Sequence, residues 1–323
     1  MLDYDSLTPP SEKMSVPETK KRSPDFFKKI LENHGLTLGP ESQDLLDRMA
    51  LLDERTGTFE DETRANEYAD QIFAYLGDSH TISENRLSPE KKQHIQLATL
   101  LTDIGKTGPH TANPAEREVI TALFAITEDV NVGVITLGEY IERFFPNEKT
   151  QAYMQKVLEP LLEKDRNLWE KFPHFSQMTM RAFFNLHAGW TYNILRENQV
   201  PIDVTMTAAN HHMLEGVNPN NILDHEGSIG PETSISRPVD QREIFVILLD
   251  KYDARRNRAV KRSHEEAIDW LEMIIKNNAI LTETFKDRPE IKELFLSCLR
   301  DLEHALVSTK AIISPEDQQQ KAA

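Results

Sequence analysis

The stretch PEKKQHIQLATLLTDIG, residues 89–105, shows the pattern that decides the fold. It opens on a proline, and its apolar residues recur at helical spacing until Gly105 interrupts the run. Residues 59–76 repeat the pattern, with alanine, isoleucine and leucine side chains on a single stripe. Strand-like alternation is scarce, and only 12 glycines and 17 prolines interrupt the 323 residues. We therefore predict an all-α fold.

The two ends of the chain differ in composition from its middle. Residues 1–22 carry several prolines and charges, and residues 314–323 are polar, so we predict a disordered arm and a disordered tail. Between them, residues 23–58 are predicted to form an N-terminal helical segment and residues 59–313 the main domain. Within that domain, residues 109–184 form a long region that is helical in pattern and partly very polar.

Net charge and cysteine content limit the kind of protein. The formal net charge is −16, from 53 acidic and 37 basic residues, and such a field repels a nucleic acid polymer. It does not exclude a small phosphate ester, because a bound metal ion can dominate the local field. Cys298 is the single cysteine and can form no internal disulfide. Without a signal peptide or a run of ~18 apolar residues, we predict a cytoplasmic protein that makes no membrane contact.

Two aspartates directly follow apolar runs. Asp103 ends the run that starts at Leu97, and Asp250 ends the run that starts at Ile244. A carboxylate carried into a core in this way is costly unless it is paired or bound to a metal ion. Each aspartate equally fits the solvent end of a buried helix, so the pattern alone leaves both interpretations open.

Three histidines lie in apolar, helical surroundings. His187 follows two phenylalanines, and His211 and His212 end a helical stretch just before a loop that contains glycine and proline. Imidazole nitrogens and carboxylate oxygens together form the ligand set of zinc, manganese and iron sites. A lone histidine in such a helix is more often a packed core residue, and no short metal-binding motif is present. A metal site would have to be assembled from distant helices.

Five short motifs occur in an order that resembles the HD phosphohydrolase superfamily, and its HD-GYP branch most closely. The resemblance covers about Phe59 to Leu281. The matching segments are Asp103-Ile104-Gly105-Lys106, His187 with Gly189, His211-His212, Gly216-Val217-Asn218-Pro219, and Asp250-Lys251-Tyr252-Asp253-Ala254, which continues into Ser263-His264-Glu265-Glu266-Ala267. The resemblance implies an HD-domain helical bundle, with the N-terminal segment added and residues 109–184 as a helical insertion.

The chain departs from this family pattern at several positions. Thr102 stands where the histidine of the HD motif would be, and the tyrosine of the Gly-Tyr-Pro signature is absent. The helix predicted for residues 59–76 has no histidine, and Asp61 or Glu62 takes the approximate place of an earlier histidine ligand. A carboxylate there could bind a metal ion. Thr58 and Asp61 also fit a helix cap, and we favour the cap because it needs no metal to explain it.

The resemblance implies a set of metal ligands. Asp103 would bridge the metal ions, His187 and His211 would complete one metal position with it, and Asp250 would serve the other. His212 would belong to a third or outer position. Asp61 and Glu62 are further candidates. We expect divalent ions, Fe or Mn, with Mg, Ni or Zn as alternatives, and no more than two per chain.

The implied catalytic residues are Asp103 and Lys106, and Lys106 would contact a substrate phosphate as a point charge. Arg258 and Arg262 would add to substrate binding. A lysine such as Lys106 is also common at an exposed helix C-terminus, where no substrate is needed to explain it.

The expected activity is that of a metal-dependent phosphohydrolase, and more narrowly a signalling phosphodiesterase that acts on a cyclic dinucleotide such as cyclic di-GMP. The alternative is a regulatory module that keeps the HD fold, has lost catalysis, and binds a nucleotide or a protein partner. The enzyme is favoured by the presence of Asp103, Lys106, His187, His211, His212 and Asp250. The loss of two histidine ligands favours the module. The expected partners are a small phosphodiester or nucleotide, and a second copy of the chain or a signalling protein.

Overall fold

The computed structural model describes residues 22–39, 42–78, 83, 85–126, 130–163, 174–224, 228–230, 236–257 and 261–312. Most of the predicted N-terminal arm, the predicted tail and Arg258 lie outside these residues. Twelve α-helices account for most of the described part. They are α1 (Pro24–Asn33), α2 (Gln43–Thr56), α3 (Thr58–Gly77), α4 (Pro89–Leu101), α5 (Pro114–Phe124), α6 (Leu137–Phe144), α7 (Glu148–Glu163), α8 (Met180–Glu197), α9 (Ile202–Ala209), α10 (Gln241–Asn257), α11 (His264–Asn277) and α12 (Pro289–Ile312).

Short turns and one small hairpin connect these helices. Tight 3-10 turns cover Ile104–Thr107, Phe175–Gln177, Asn210–Glu215 and Pro219–Asn221, and a wider π-type turn covers Ile280–Thr284. The strands β1 (Ser228–Ile229) and β2 (Arg237–Pro238) pair antiparallel, with Ser228 opposite Pro238. The prediction of an all-α fold is confirmed, since this hairpin is the whole sheet content of the described residues.

Local sequence signals explain where several helices begin. Ser88 accepts a hydrogen bond from the Lys91 amide at the start of α4, and Asn113 and Thr136 form reciprocal capping boxes at α5 and α6. Proline occupies the first turn of α1, α4 and α5, where its missing N–H costs nothing. Ser263 caps α11 in the same reciprocal way. These helix starts are therefore fixed by the local sequence.

Two predicted helices end earlier than their pattern indicates. The helix predicted for residues 89–104 stops at Leu101, and the chain enters the turn Ile104–Thr107. There Gly105 packs so closely on α8 that a Cβ would lie 2.0 Å from the carbonyl oxygen of His187. The helical stretch that was expected to end with His211 and His212 likewise stops at Ala209, and the chain continues as the turn Asn210–Glu215. Both departures lie where the candidate site residues are found.

The main core is built from the apolar faces of α3, α4, α9, α10, α11 and α12. The six residues from Ile244 to Leu249 in α10 are all at most 1% exposed, so this helix is buried on every side. Burying each such side chain contributes roughly 1.5–3 kcal/mol. The run that carries Asp250 is therefore central to the fold, and it ends beside the histidines described below.

A second hydrophobic cluster is formed by buried side chains of α5 to α8 and the turn Phe175–Gln177, among them Leu123, Tyr140, Met154 and Phe183. Trp190 of α8 packs against both clusters. The region predicted as an insertion thus contributes a core of its own, which adjoins the main core along α8. The domain boundaries themselves stay predictions.

No helix within the described ranges is both long enough and apolar enough to cross a membrane. The longest, α12, is instead an amphipathic helix whose buried side includes Phe295, Leu299 and Leu302.

Candidate metal centre

Three histidine rings meet in the interior. His187 Nε2 lies 2.9 Å from His211 Nε2. The ring centroid of His212 is 4.1 Å from that of His211 and 4.9 Å from that of His187. One nitrogen from each ring lies within 4.8 Å of the others, close enough for the three to share a metal ion. His187 and His211 are buried and His212 is partly buried.

The backbone explains how adjacent residues reach one point. His187 lies in the middle of α8, on its buried side. His211 and His212 lie in the turn after α9, where the backbone leaves helical geometry at His212, with φ −100° and ψ 16°. In a regular helix, neighbouring side chains point about 100° apart. The turn brings both rings to the same side, so the His212 ring lies beside those of His187 and His211.

Each ring has a hydrogen-bond acceptor at its Nδ1 atom. His187 Nδ1 donates to the carbonyl of Phe184, and His211 Nδ1 donates to the carbonyl of Ala208 at 2.7 Å. His212 Nδ1 contacts the Glu215 carboxylate. Because these oxygens can only accept, each Nδ1 carries a proton, and a neutral ring then presents its lone pair at Nε2. Metal-binding histidines are commonly oriented by such second contacts.

Burial keeps two of the rings neutral. Burial lowers the pKa of His211 well below its usual value, and the rings of His212 and His187 lower it further. Burial and the Lys251 ammonium lower the pKa of His212 to about 4. A neutral imidazole is the form that binds a metal ion. Near neutral pH these rings are therefore in the state that metal binding requires.

Asp103 adds a carboxylate to the histidines. Its Oδ1 lies 3.4 Å from His187 Nε2 and 3.8 Å from His211 Nε2, and its Oδ2 lies 2.6 Å from Lys106 Nζ. Burial raises the pKa of Asp103, but the Lys106 ammonium and the two rings outweigh it and hold the pKa well below its usual range. Asp103 is thus a buried, ionised ligand candidate at the group.

The donor set fits a divalent metal ion. The Nε2 atoms of His187 and His211 face each other at 2.9 Å, and the neutral His211 ring, protonated at Nδ1, presents a lone pair there. Such a lone pair can bind a metal ion. Three imidazoles and one carboxylate match the ligand preferences of Fe, Mn, Zn and Ni better than those of Mg, which prefers oxygen.

Asp250 lies at the edge of the group and is partly buried. Its negative charge opposes the lowering of the His211 pKa, which places it near that ring. Its Oδ2 accepts from Lys251 Nζ at 3.0 Å, and Lys251 Nζ also donates to Glu215 Oε1 at 2.9 Å. Burial lowers the pKa of Lys251, but Asp250 and Glu215 outweigh it and raise the pKa above its usual value.

Glu62 and Asp61 have different surroundings although they are adjacent in α3. Glu62 is buried among apolar side chains such as Phe59 and Leu100, and its Oε1 accepts from the Asp103 amide at 3.4 Å. Burial and the nearby Asp103 carboxylate raise the pKa of Glu62 well above its usual value. Of these two acidic residues of α3, Glu62 is therefore the one that lies next to the centre.

Asp61 does not cap α3, contrary to the prediction. The helix α3 begins at Thr58 after Gly57, a glycine with positive φ, and no side chain caps it. The Asp61 carboxylate instead pairs with Arg64, which also binds Asp253 at 3.1 Å. The prediction of a cap was wrong because the helix starts too early for Asp61 to reach its free amides. No contact joins Asp61 to the three histidines.

Arg48 holds the turn that follows Asp103, although it lies in the N-terminal segment. Its guanidinium is fully buried and donates to the carbonyls of Thr107, Gly108, Pro109 and His110. Its Nε donates to Asp44 at 2.8 Å. A buried guanidinium is stable only when its donors are satisfied, as they are here. Residues 23–58 thus support the loop that presents Asp103 and Lys106.

The predicted site residues therefore fall into two groups. The structure brings together Asp103, Lys106, His187, His211, His212, Asp250 and Glu62. Arg262 contacts Glu266 at 3.6 Å and, through its carbonyl, Arg256, with no contact to the histidines. Thr102 is buried, and its hydroxyl donates to the Thr99 carbonyl of its own helix.

Three residues of the centre were not singled out from the sequence. Glu215 lies three residues after His212, a spacing that a turn can bring together. Arg48 interrupts the apolar stripe of α2 at a position between Leu45 and Met49, and a charge at such a position was a usable signal. Lys251 offered no signal beyond its position next to Asp250.

No protein-family model matches the chain, and comparisons with curated proteins and with solved structures give no significant match. The resemblance to HD-GYP proteins rests on the order of its short motifs. The chemistry of the centre rests on the ligands and charges described above.

Proposed function

We propose that the chain is a metal-dependent phosphohydrolase of the HD type, and that it acts as a phosphodiesterase on a small phosphodiester such as cyclic di-GMP. One observation carries the proposal. Three imidazoles, each with an acceptor at its Nδ1 atom, and the ionised Asp103 converge from three separate parts of the chain. The order of the HD-GYP-like motifs supports the same function, because it places these residues in the roles that the family assigns to them.

The residues of the centre have distinct roles in this proposal. His187, His211 and His212 would hold the ion, and Asp103 would complete the ligand set with its negative charge. A bound divalent ion lowers the pKa of a water molecule and polarises a phosphoryl oxygen. In this proposal the Lys106 ammonium, which is 17% exposed, donates to a phosphate oxygen of the substrate.

A binding module is the second candidate, and two observations favour it. Thr102 replaces the histidine of the HD motif and turns its hydroxyl back to Thr99. Lys106 pairs directly with Asp103, so the carboxylate already has a partner of opposite charge. A centre with fewer ligands and with such an internal pair suits a protein that retains a nucleotide without cleaving it.

An assay of the purified full chain separates the two candidates. The chain is loaded with Mn²⁺ or Fe²⁺ and incubated with bis(p-nitrophenyl) phosphate and, separately, with cyclic di-GMP. The hydrolase predicts cleavage that His211→Ala lowers by about 100-fold or more, because the variant lacks a buried ligand. Asp61→Ala is the control and keeps the activity. If the chain bound cyclic di-GMP but did not cleave it with any metal tried, the hydrolase proposal would be rejected in favour of the binding module.

A further inference from the structure

Each of the two aspartates of the centre forms an ion pair with a lysine. Lys106 Nζ is 2.6 Å from Asp103 Oδ2, and Lys251 Nζ is 3.0 Å from Asp250 Oδ2. Both lysine side chains are largely buried, at 17% and 12% exposed. These two aspartates are the residues that the sequence predicts as carboxylate ligands of two metal positions. Two positive charges that belong to the chain itself therefore stand where metal charge was expected.

Lys251 is enclosed by acceptors. Its Nζ lies 2.9 Å from Glu215 Oε1 as well as 3.0 Å from Asp250 Oδ2. It also lies 3.2 Å from His212 Nδ1, but that nitrogen directs its own proton at Glu215, so the two carboxylates receive the ammonium hydrogens. A lysine ammonium is a compact point charge that can bind several oxygens at once. Lys251 thus bridges two carboxylates, as a metal ion would.

The ligand atoms show where a metal ion can be held. Within the ranges that the structure describes, His187, His211 and His212 are the one group of three or more acidic, cysteine or histidine side chains whose ligand atoms all lie within 4.8 Å of one another. Asp250 and Glu215 do not belong to that group. Their oxygens are directed at Lys251 instead.

The charges of the centre favour a single ion. Asp103, Asp250 and Glu215 give three negative charges, and Lys106 and Lys251 give two positive charges, so the sum is −1, or −2 if Glu62 is ionised. One divalent ion changes the sum to +1 or 0. A second divalent ion changes it to +3 or +2, and an uncompensated buried charge is costly.

We propose that Lys251 takes the place of a second divalent ion, so that the centre binds one divalent ion per chain, on the three histidines and Asp103. The inference rests on the metal centre of the proposed function and concerns its composition. It assigns Lys251 the role of neutralising Asp250 and Glu215, the carboxylates that would otherwise attract another ion.

The proposal is tested by isothermal titration calorimetry, in which Mn²⁺ is added to the chelator-treated full chain and the number of bound ions is counted. Wild type is expected to bind one ion. Lys251→Met is expected to bind two, the second more weakly, because Asp250 and Glu215 lose their cation. The double variant Asp250→Asn, Lys251→Met should bind one again. Lys276→Met, which removes an exposed lysine paired with Glu272 at 2.8 Å, is the matched control and should bind one.

Two results would overturn the proposal. One is two ions on wild type, and the other is a single ion on a folded Lys251→Met. Lys251→Gln replaces Lys251→Met if circular dichroism shows that the latter does not fold. Failure of the proposed function is seen separately, because a chain that binds one ion and cleaves no phosphodiester leaves the role of Lys251 intact. If an active wild type bound two ions, the proposed role of Lys251 would be rejected and the proposed hydrolase function would remain.

Discussion

His187 Nε2 and His211 Nε2 lie 2.9 Å apart although 24 residues separate them along the chain. The contact exists because α8 packs on α9 and because the turn after α9 directs His211 inward. The Nδ1 atoms of both rings are bound to carbonyls of their own segments, so neither ring can turn away without losing a hydrogen bond. The position of α8 relative to its neighbours therefore controls the geometry of the centre.

Gly105→Ala should disturb this position. A Cβ at residue 105 would lie 2.0 Å from the His187 carbonyl oxygen and 2.7 Å from the Thr191 amide, and backbone atoms of α8 cannot move aside cheaply. We expect a loss of about 3 kcal/mol or more in the free energy of unfolding, together with a loss of bound metal. Chemical denaturation and metal analysis measure the two effects.

Gly77→Ala is the matched control for that variant. It lies at the end of α3, and a Cβ there would meet nothing within 4 Å. The free energy of unfolding of Gly77→Ala should stay the same or rise by up to about 1 kcal/mol, since alanine is a better helix residue than glycine. Equal stability of the two variants would show that the turn of Gly105 does not press on α8.

Arg48→Met should destabilise the chain strongly. The variant leaves the carbonyls of Thr107, Gly108, Pro109 and His110 and part of Asp44 without their donor, and removal of one partner of a buried charged contact typically costs about 3–5 kcal/mol. Urea unfolding measures the difference. Lys276→Met, which breaks an exposed pair, should cost no more than about 0.5 kcal/mol. A small effect of Arg48→Met would mean that the N-terminal segment does not support the turn after Asp103.

Asp240 should make stability depend on pH in acid. Burial raises its pKa, but hydrogen bonds from the Arg242 side chain and amide and from Lys91 outweigh it and lower the pKa to about 2. A folded pKa below the unfolded value of 3.8 stabilises the protein above pH 3.8, and this stabilisation is lost as the pH falls towards 2. The difference corresponds to about 2 kcal/mol.

Asp240→Asn should therefore lose about 2 kcal/mol at pH 6 and about half of that at pH 3, as measured by urea unfolding at both values. Asp269→Asn, at an exposed position of α11, serves as the control and should show little loss at either pH. A loss for Asp240→Asn that is equal at pH 6 and pH 3 would reject the lowered pKa as its cause.

Much of the fold could be predicted because helical periodicity and capping are local properties. The stripe of α3 and the run that leads to Asp250 are buried as their spacing indicates. The ends of α4 and α9 were not predicted. They depend on the packing of Gly105 against α8 and on the turn at His212, and both are tertiary contacts that no local pattern records.

The candidate site divides in the same way. Motif order was enough to select Asp103, His187, His211 and His212, which the structure brings together. The role of Lys251 depends on Glu215, which lies 36 residues away in the sequence. The role of Arg48 depends on several carbonyls of the turn near Thr107, 59 or more residues away. Such pairings follow from how helices pack, so a single sequence gives at most a hint, such as a charge within an apolar stripe.

Metal analysis of the chain purified without added metal, with the ions counted per chain, tests the central claim most directly. We expect wild type and the control Asp61→Ala to hold about one divalent ion, and His211→Ala and Asp103→Ala to hold little or none, because both lack a ligand of the centre. Circular dichroism checks that each variant is folded. Metal content that is the same in wild type, His211→Ala and Asp103→Ala would contradict a metal centre built on these residues.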